Sequence, residues 1–598
     1  MVPRNKMTTT LPKSVATKAQ YKLKLAHIND THSHFDANRI QFTICEQQKE
    51  LTLYSHTGGY ARIAYQLKQA RNTAKKERQE FLFLHGGDSF QGTLYFNEFK
   101  GKANSDLLNM LQPDAMVLGN HEIDAGNEPV LDFLNDIKFP LMAGNMDLSQ
   151  ECLNKSARLA NHRNLLDFNP ESQTAKVLLK PLADKQIACF GITLDQMSEI
   201  AGPDEDTHFI NAIATTRRTV AQLKAQGIDH IIVLSHLGLD QDKVLASEVD
   251  GISLIVGGHS HTLQGDFSEL GLSNMPYGER INDTAIVHAG KYAETLGIAD
   301  ITFDSKGKVL TLMGGNYFML DQQFILQASD DVSPQDYLNV RQQLQSHPLI
   351  LWDGEDSLVQ TRIQQKYRPS LDALNNKILG FVPKSLVHTR LPSKALPHGS
   401  EIAPWVSRSM YQETRELGVE VDFALHNAGG VRQSLDKGDV SLAEILGRIL
   451  PFDIPLVTYE IQGQYLFQML ESAINAATNN SVIGTGAGSF PYTYGLKYFY
   501  DGKQALGQRI IKLEVLSDVE GTMQWREVDA KAHYKGVSSS YTASGKEGYH
   551  PILKANWQKD VDGLSLPQAF IRFISKAQSL DEVLEPQVHY TSHNLAPL

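Results

Sequence analysis

An acidic residue and three histidines fall within nine residues near the start of the chain. The segment HINDTHSHF, residues 27–35, directly follows the alternating stretch YKLKL. Because Asp30 and His32 are two positions apart at the end of a strand, their side chains are expected on the same side, where a carboxylate oxygen and an imidazole nitrogen can bind a metal ion. The same residue types are also common in polar loops. This segment alone is therefore compatible with a metal site or with an ordinary loop.

Polar side chains also end the apolar runs that follow. The runs EFLFLHGGD, AMVLGNHE, HIIVLSHLG and GISLIVGGHSH each finish in Asp, Asn or His beside glycine. Their candidate ligands are Asp88, Asn120, His121, His236, His259 and His261. Divalent ions such as Mn²⁺, Mg²⁺ or Zn²⁺ accept carboxylate, amide and imidazole ligands, and one carboxylate can bridge two ions about 3.5–4 Å apart. Each histidine alone is typical of a surface or a core, but the joint pattern indicates a metal centre.

The segments between these runs have a helical period. Residues 61–80, 105–112 and 215–227 read as helices, and the apolar runs read as largely buried strands, so the pattern is βαβα. Ligands of such α/β sheets bind beyond the carboxyl ends of the strands. The candidate ligands stand at these positions, which is where the fold class predicts a site.

The length predicts more than one hydrophobic core. A chain of 598 residues exceeds the roughly 250–300 residues that one core usually organises. We predict a disordered lead-in at 1–20, an α/β domain at 21–329, a polar helical connector at 330–374 and a second mixed α/β domain at 375–598.

Composition excludes several classes of protein. With 56 Lys+Arg and 68 Asp+Glu the net charge is −12, and there is no basic run for a nucleic acid polymer. The three cysteines, Cys45, Cys152 and Cys189, are far apart, which argues against a disulfide framework or a thiolate metal site. No run of about 18 apolar residues predicts a membrane span, and the first 20 residues lack the apolar region of a secretory signal. We expect a cytoplasmic protein, or a periplasmic or secreted one if a leader is missing; the oligomeric state stays open.

The motifs together resemble a known family. The series D-x-H, G-D, G-N-H-E, H and G-H-x-H over residues 30–261 resembles the dinuclear metallophosphoesterases of the calcineurin-like type. The variants NDTHSH, GNHEID and GGHSH, followed by HAGKYAETLG, resemble more narrowly the 5′-nucleotidase / UDP-sugar hydrolase branch. That resemblance implies a metallophosphoesterase-type α/β sandwich followed by a C-terminal substrate-binding domain.

The resemblance also implies a set of metal ligands. One divalent ion (Mn, Zn or Mg) would be held by Asp30, His32, Asp88 and His261, and a second by Asp88, Asn120, His236 and His259. His121 and Asp124 would form the catalytic His–Asp pair of the family, although Asp124 could instead cap the helix that follows it. His34 would support the ligands or be inert.

The second region resembles the nucleoside-binding segments of the family. In LHNAGGVRQSL, GRILPFDIPLVTYEIQGQYL and SYTASGKEGYHP, the resemblance implies that Asn427 and Arg432 bind polar groups and that Phe452 and Tyr541 stack on the base. Glu547 stands where the family usually has Asp, and Phe452 could instead be a core aromatic.

Two segments depart from the family pattern. The stretch ALPHGSEIAPWVSRSM lacks the usual G-N-L motif and its arginine, for which Arg390, Lys394 or Arg408 could substitute, and GKEGY replaces G-G-D-G. Both departures bear on the preference for nucleotides and leave the phosphohydrolase chemistry untouched.

The sequence thus predicts a metal-dependent phosphohydrolase that releases phosphate from nucleoside 5′-monophosphates or related nucleotides by attack of a metal-bound hydroxide. Alternatives are a relative acting on 2′,3′-cyclic nucleotides, UDP-sugars or a sulfur ester, or a binding protein without turnover. The complete ligand set together with His121 favours an enzyme, because a binding protein has no need of an open, complete site.

Overall fold

The computed structural model describes residues 20–46, 49–327, 332–352, 354–452, 454–482, 484, 486–519 and 521–593. The predicted lead-in lies outside these ranges except for its last residue, and so does the predicted boundary at Asp330.

Two sheets build the first half of the described chain. The larger sheet runs, in spatial order, through Asn38–Glu46, Lys49–Thr57, Val309–Leu320, Thr295–Phe303, Tyr21–Ile28, Glu80–His85, Ala115–Val117, Leu141–Ala143, Leu165–Asn169 and Thr174–Ala175, with Ile325–Gln327 and Ile350–Trp352 added at its side. The smaller sheet runs through Leu178–Leu182, Lys185–Thr193, His230–His236, Leu254–Val256, Thr284–Val287 and Glu279–Ile281.

The central strands of both sheets are parallel. Strand Tyr21–Ile28 pairs in parallel with Glu80–His85, and His230–His236 pairs in parallel with Leu254–Val256. Side chains from the two sheets, such as Leu25 and Leu234, share one buried apolar cluster, so the sheets form a sandwich. The carboxyl ends of these strands carry the candidate ligands, as the sequence predicts.

Helices cover the outer faces of the sandwich. They span Tyr60–Glu77, Leu94–Phe99, Lys102–Leu111, Asn127–Asp136, Met197–Ile200, Ala212–Ala225 and Leu239–Glu248. The three helical segments predicted from periodicity lie in Tyr60–Glu77, Lys102–Leu111 and Ala212–Ala225. Helix Tyr60–Glu77 buries small and apolar side chains along one face, including Ile63 and Leu67, in the core.

The helices of the predicted connector are packed rather than free. They span Pro334–Ser346, Ser357–Arg362 and Arg368–Asn375, with a π turn at Ile363–Tyr367 between the last two. The sequence predicts a polar connector, but four of its side chains join the first core: Val359, Ile363, Tyr367 and Leu371. Their spacing of four residues gives one narrow apolar stripe on an otherwise polar helix. The domain boundaries stay a prediction.

A second core follows the connector. One sheet runs through Pro491–Tyr494, Phe423–Asn427, His533–Ser539, Pro455–Gln462 and Trp557–Ser565, and another through Thr522–Glu527, Ile510–Val519, Leu496–Asp501 and Val588–Thr591. A short pair joins Ile378–Val382 to Gly438–Ser441. Helices Ala403–Glu416, Leu442–Glu444, Gly463–Thr478, Ser540–Ala543 and Leu566–Ala577 pack on these sheets, with a π turn at Ile445–Ile449. This arrangement confirms the predicted mixed α/β fold class.

Candidate dinuclear metal centre and active site

The loops after the central strands have an unusual backbone. Five candidate ligands are in the left-handed region, with φ of 50° at Asp30, 46° at His32, 55° at Asp88, 74° at His259 and 55° at His261. This conformation is uncommon for residues with a Cβ, and such strain clusters at functional sites because the surrounding structure must hold it in place.

Hydrogen bonds between the loops hold this backbone. The N–H of Asp30 donates to the carbonyl of Gly87 at 2.9 Å, and the N–H of His32 donates to the carbonyl of Asp88 at 3.0 Å. The N–H of His259 donates to Oδ2 of Asp30 at 2.9 Å. Three loops that are distant in sequence are thereby fixed at one edge of the sandwich.

One ligand group consists of Asp30, His32 and His261. Nε2 of His32 and Nε2 of His261 are 3.1 Å apart, and Nε2 of His261 is 3.4 Å from Oδ1 of Asp30. The other ring nitrogen of His32, Nδ1, lies 3.0 Å from the carbonyl of Phe90. A carbonyl only accepts, so Nδ1 carries the hydrogen and Nε2 presents its lone pair to the group.

A second group consists of Asp88, His236 and His259 beside Asn120. Nε2 of His236 lies 3.2 Å from Oδ2 of Asp88 and 3.3 Å from Oδ1 of Asn120. Nδ1 of His259 lies 3.0 Å from the same amide oxygen. Nδ1 of His236 donates to the carbonyl of Gly86 at 2.7 Å, which again leaves Nε2 free to ligate.

The donor set fits two divalent ions. Ring nitrogens and carboxylate oxygens converge in these groups, and Nε2 of His32 and Nε2 of His261 are only 3.1 Å apart, an arrangement that a bound cation would stabilise. Ligand atoms lie within 4.8 Å of one another in three groups, Asp30/His32/His261, Asp88/His236/His259 and His32/Asp88/His121, so Asp88 belongs to two. The first group contains three of the four residues that the sequence assigned to one ion, and the second group contains three of the four assigned to the other.

His121 is paired with Asp124 at the edge of this centre. Nδ1 of His121 lies 2.6 Å from Oδ2 of Asp124, and both side chains are 24% exposed. Burial alone would lower the pKa of His121, but the carboxylates of Asp124 and Asp88 raise it to about 9. The helix that follows begins after Gly126, so Asp124 is not its cap.

Glu122 is a buried residue whose role the sequence analysis missed. Its carboxylate accepts the backbone N–H groups of Asp88 at 2.9 Å, Ser89 at 2.6 Å, Phe90 at 3.0 Å and Gly119 at 2.8 Å. Burial, reinforced by the charge of Asp88, raises the pKa of Glu122 to about 7. Glu122 therefore fixes the loop that presents Asp88; the only sequence signal was its place in the quoted motif GNHE.

The second core brings the predicted substrate residues to the same place. The ring of Phe452 lies parallel to the imidazole of His121, 5.7 Å between centroids, and the guanidinium carbon of Arg432 is 5.4 Å from the Phe452 centroid. Phe452 is partly exposed and lines the cavity over the metal centre. It is thus a wall of the site.

The remaining predicted residues form a connected group beside Phe452. The amide of Asn427 donates to Oε2 of Glu547 at 3.4 Å, and the phenol of Tyr541 also bonds to Glu547. Burial raises the pKa of Glu547, which nearby Arg390 and Arg432 partly offset.

Arg390 is the candidate arginine that reaches this group. Its guanidinium interacts with Arg432 and Glu547 in the second core and with Tyr292 in the first. Lys394 is exposed, and Arg408 pairs with Glu582 against the ring of Trp405. Of the three substitutes that the sequence left open, Arg390 is the one whose charge acts on Glu547 and Arg432 among the described residues.

Lys546, in the departing segment GKEGY, spans the two cores. Its ammonium donates to the carbonyl of Ala201 and lies 5.4 Å from the ring centroid of Tyr541. Burial lowers the pKa of Lys546, while Asp124 acts in the opposite direction. The replacement of glycine by lysine therefore adds a contact between the two cores.

Comparison with known proteins agrees with this architecture. The family model for calcineurin-like phosphoesterase matches residues 23–263, and the model for the 5′-nucleotidase C-terminal domain matches residues 390–555. The chain therefore contains a calcineurin-like phosphoesterase domain and a 5′-nucleotidase C-terminal domain. This confirms the predicted resemblance, and with it a hydrolase of phosphoric monoesters that carries a metallophosphoesterase domain.

Proteins similar to this chain match nearly its whole length. A probable 5′-nucleotidase of Treponema pallidum is 29% identical over 89% of this chain and 88% of its own length. The NAD 5′-nucleotidase of Haemophilus influenzae is 28% identical over 96% and 92%. The crystal structure of a 5′-nucleotidase precursor from Thermus thermophilus has a TM-score of 0.73 at 27% identity and covers 95% of this chain and 99% of that one. Among the helices of the described residues, none is long and apolar enough to cross a membrane.

Proposed function

We propose that this chain is a nucleotidase that releases phosphate from nucleoside 5′-monophosphates at a site shared by its two cores. Asp30, His32, Asp88 and His261 would hold one divalent ion, and Asp88, Asn120, His236 and His259 the other. Bound there, the ions would supply Lewis acidity to the phosphoryl oxygens and to the attacking water. The four imidazoles favour a transition ion such as Zn²⁺ or Mn²⁺ over Mg²⁺.

His121 acts on the phosphoryl group. Because Nδ1 is directed at Asp124, Nε2 is left facing the cavity. The two nearby carboxylates favour the imidazolium, whose Nε2–H donates to a phosphoryl oxygen or gives its proton to the leaving oxygen. Asp124 fixes the imidazole of His121 in one orientation and keeps a hydrogen on its Nδ1.

The second core holds the nucleoside. Phe452 and Tyr541 offer aromatic faces to the base, while Asn427 and Glu547 offer amide and carboxyl groups for polar atoms of the nucleoside. Arg432 and Arg390 place two positive charges beside the reacting phosphate, which compensates locally for the net charge of −12.

One observation supports this proposal most strongly: the stacked rings of His121 and Phe452, 5.7 Å apart, join the metal centre of one core to the nucleoside wall of the other. A phosphatase for small esters needs only the first core. Side chains of the second core at the metal centre indicate a substrate with an aromatic base.

The direct test is phosphate release from a panel of nucleoside monophosphates with Mn²⁺, Mg²⁺ or Zn²⁺, and with chelator. We expect turnover of nucleoside 5′-monophosphates that chelation abolishes and a transition ion restores. Turnover of 2′,3′-cyclic nucleotides, UDP-sugars or a sulfur ester in preference to monophosphates would contradict the proposal, as would binding without turnover.

A second candidate substrate is a dinucleotide ester, favoured by the cavity beside the metal centre. It has a volume of about 620 Å³ and extends from His32 and His121 to a polar wall that the nucleoside residues do not line, formed by Asp36, Tyr95, Arg368, Gln433, Ser441 and Arg448. A monophosphate has one organic substituent on phosphorus, whereas this space admits a second. The Haemophilus influenzae relative is named for NAD.

The second candidate is tested by comparing AMP with NAD. The Arg448→Ala variant should lower kcat/KM for NAD and leave AMP unchanged, with Arg217→Ala, an exposed arginine of the other core, as control. Turnover of AMP without turnover of NAD would exclude the dinucleotide and keep the first proposal.

A further inference from the structure

Tyr292, in the segment HAGKYAETLG, has a strained and firmly held backbone. Tyr292 and Ala293 are both left-handed, with φ of 56° and 54°. The N–H of Tyr292 donates to the carbonyl of Asp30 at 2.7 Å, its own carbonyl accepts from Nδ2 of Asn38 at 2.6 Å, and the N–H of Gly59 donates to the carbonyl of Ala293 at 3.0 Å. A bulky residue in this conformation is a genuine outlier, and such outliers persist where their placement matters.

The strained backbone sets the Tyr292 ring among three histidines. Its centroid lies 5.7 Å from His32 and 5.7 Å from His261, each edge-on at 66°, and 4.4 Å from His34 in a stacked geometry. The ammonium of Lys291 lies 4.6 Å above the same ring. The ring thus stands against two residues of the group Asp30/His32/His261.

His261 depends on this ring more than His32 and His236 do. The Nδ1 atoms of His32 and His236 donate to carbonyls, which fixes the orientation of both rings. Among the described residues Nδ1 of His261 has no hydrogen-bond partner in the protein, and the side chain is 27% exposed. Packing against Tyr292 and His32, together with the contact between its Nε2 and Asp30, restricts its rotation.

We infer that Tyr292 is a positioning residue that braces His261 and thereby sets the metal affinity of the Asp30/His32/His261 site. The inference rests on the proposed function, since it takes these residues to be metal ligands. Orientation of ligands by their neighbours typically changes metal affinity by about 10- to 100-fold.

The test is metal binding by the metal-free full chain, measured by calorimetric titration with Mn²⁺ and by metal content after dialysis. Tyr292→Gly removes the ring and relaxes the left-handed backbone, so a folding defect is not expected. Tyr292→Phe keeps the ring, and Ala293→Gly relaxes the adjacent strain without touching the ring.

We expect two ions per chain in the wild type, Tyr292→Phe and Ala293→Gly, and at least about 10-fold weaker binding of one ion in Tyr292→Gly. Unchanged binding in Tyr292→Gly overturns the inference, and an equal loss in Tyr292→Phe overturns it in favour of the hydroxyl. Fewer than two ions in the wild type would instead contradict the proposed function. Melting temperatures of the metal-free variants show that each is folded.

Discussion

At the scale of single residues, Asp88 is the most connected side chain of the site. One carboxylate oxygen accepts the N–H of His121 at 2.9 Å, and the other lies 3.2 Å from Nε2 of His236. It is 1% exposed and its loop is fixed by Glu122. Asp88 thus belongs to the groups Asp88/His236/His259 and His32/Asp88/His121 and also contacts the backbone of His121.

Asp88→Ala is therefore expected to abolish divalent-dependent phosphate release, because it removes ligands from both sites at once. Asp88→Asn should also be severe, since an amide lacks the charge that balances two dications. Activity and metal content are measured together. Full activity of the metal-free wild type would contradict the dinuclear mechanism.

Substitution of His121 should affect the chemical step. We expect His121→Asn to lower kcat by about 10²-fold or more while metal content stays at the wild-type value. Metal analysis is decisive here because His121 also falls within 4.8 Å of His32 and Asp88. Loss of metal in step with activity would show that His121 is a ligand.

The candidate ligands could be predicted because each follows an apolar strand that ends beside glycine, and both features are visible in a short stretch of sequence. Tyr292 and Lys546 could not, because their roles depend on contacts with residues more than 200 positions away, His32 and Ala201. The role of Glu122 could not be predicted for another reason. Its carboxylate binds backbone N–H groups of a loop, and backbone groups leave no pattern of residue types in the sequence.

At the scale of elements, strand Phe423–Asn427 carries a buried imidazole next to a substrate residue. His426 is fully buried, and neither ring nitrogen has a partner among the described residues. Burial lowers the pKa of His426 to about 3. Between about pH 3 and pH 6.5, His426 is therefore neutral in the folded protein and protonated in the unfolded chain.

Acid should destabilise the second core through this strand. The unfolded chain binds the proton first, so stability present above pH 6.5 is lost as the pH falls, by about 1.4 kcal/mol per unit for one group. His426→Leu should show a smaller drop in melting temperature from pH 7.5 to 5.0 than the wild type, with both proteins free of metal. His208→Leu, at an exposed position, is the control and should behave as the wild type does.

Element types were largely predictable, whereas their packing was not. The polar composition of residues 334–375 hid a one-sided stripe, Val359, Ile363, Tyr367 and Leu371, that docks on the first core. A stripe of single residues four apart barely changes mean hydropathy, and its partner surface is formed by helices far away in sequence.

At the scale of the whole molecule, the proposed metal ligands come from both sheets of the sandwich. Asp30, His32 and Asp88 follow strands of the larger sheet, and His236 and His259 follow strands of the smaller one. Ions that bind the folded state alone stabilise it, by about 2.7 kcal/mol at a free concentration 100 times Kd. Chelation should therefore lower the melting temperature of the first core.

This stabilisation is measured by calorimetry with and without Mn²⁺. The rise in melting temperature on adding Mn²⁺ should be much smaller in Asp88→Ala than in the wild type. An equal shift in both proteins would mean that the ion acts elsewhere.

The division between two cores makes a prediction about substrates. Tyr541→Ala should lower kcat/KM for a nucleoside monophosphate by about 10-fold or more, since stacking contributes about 1–3 kcal/mol per base. A small aryl phosphate that reaches the metals alone should be hydrolysed at the wild-type rate, and Tyr541→Phe should retain both activities. Equal losses for both substrates would indicate a folding defect, and no loss for either would make Tyr541 ordinary packing.

The placement of Glu547 and Lys546 on one short turn has an evolutionary consequence. The residues proposed to bind the nucleoside lie between 390 and 547, and the proposed metal ligands lie between 30 and 261, so the two sets are separate in sequence. Selection can then alter the accepted leaving group by small changes in loops of the second core while the hydrolytic centre is inherited unchanged. The replacement of G-G-D-G by GKEG is consistent with such divergence. It changes the charge between the two cores and none of the proposed metal ligands.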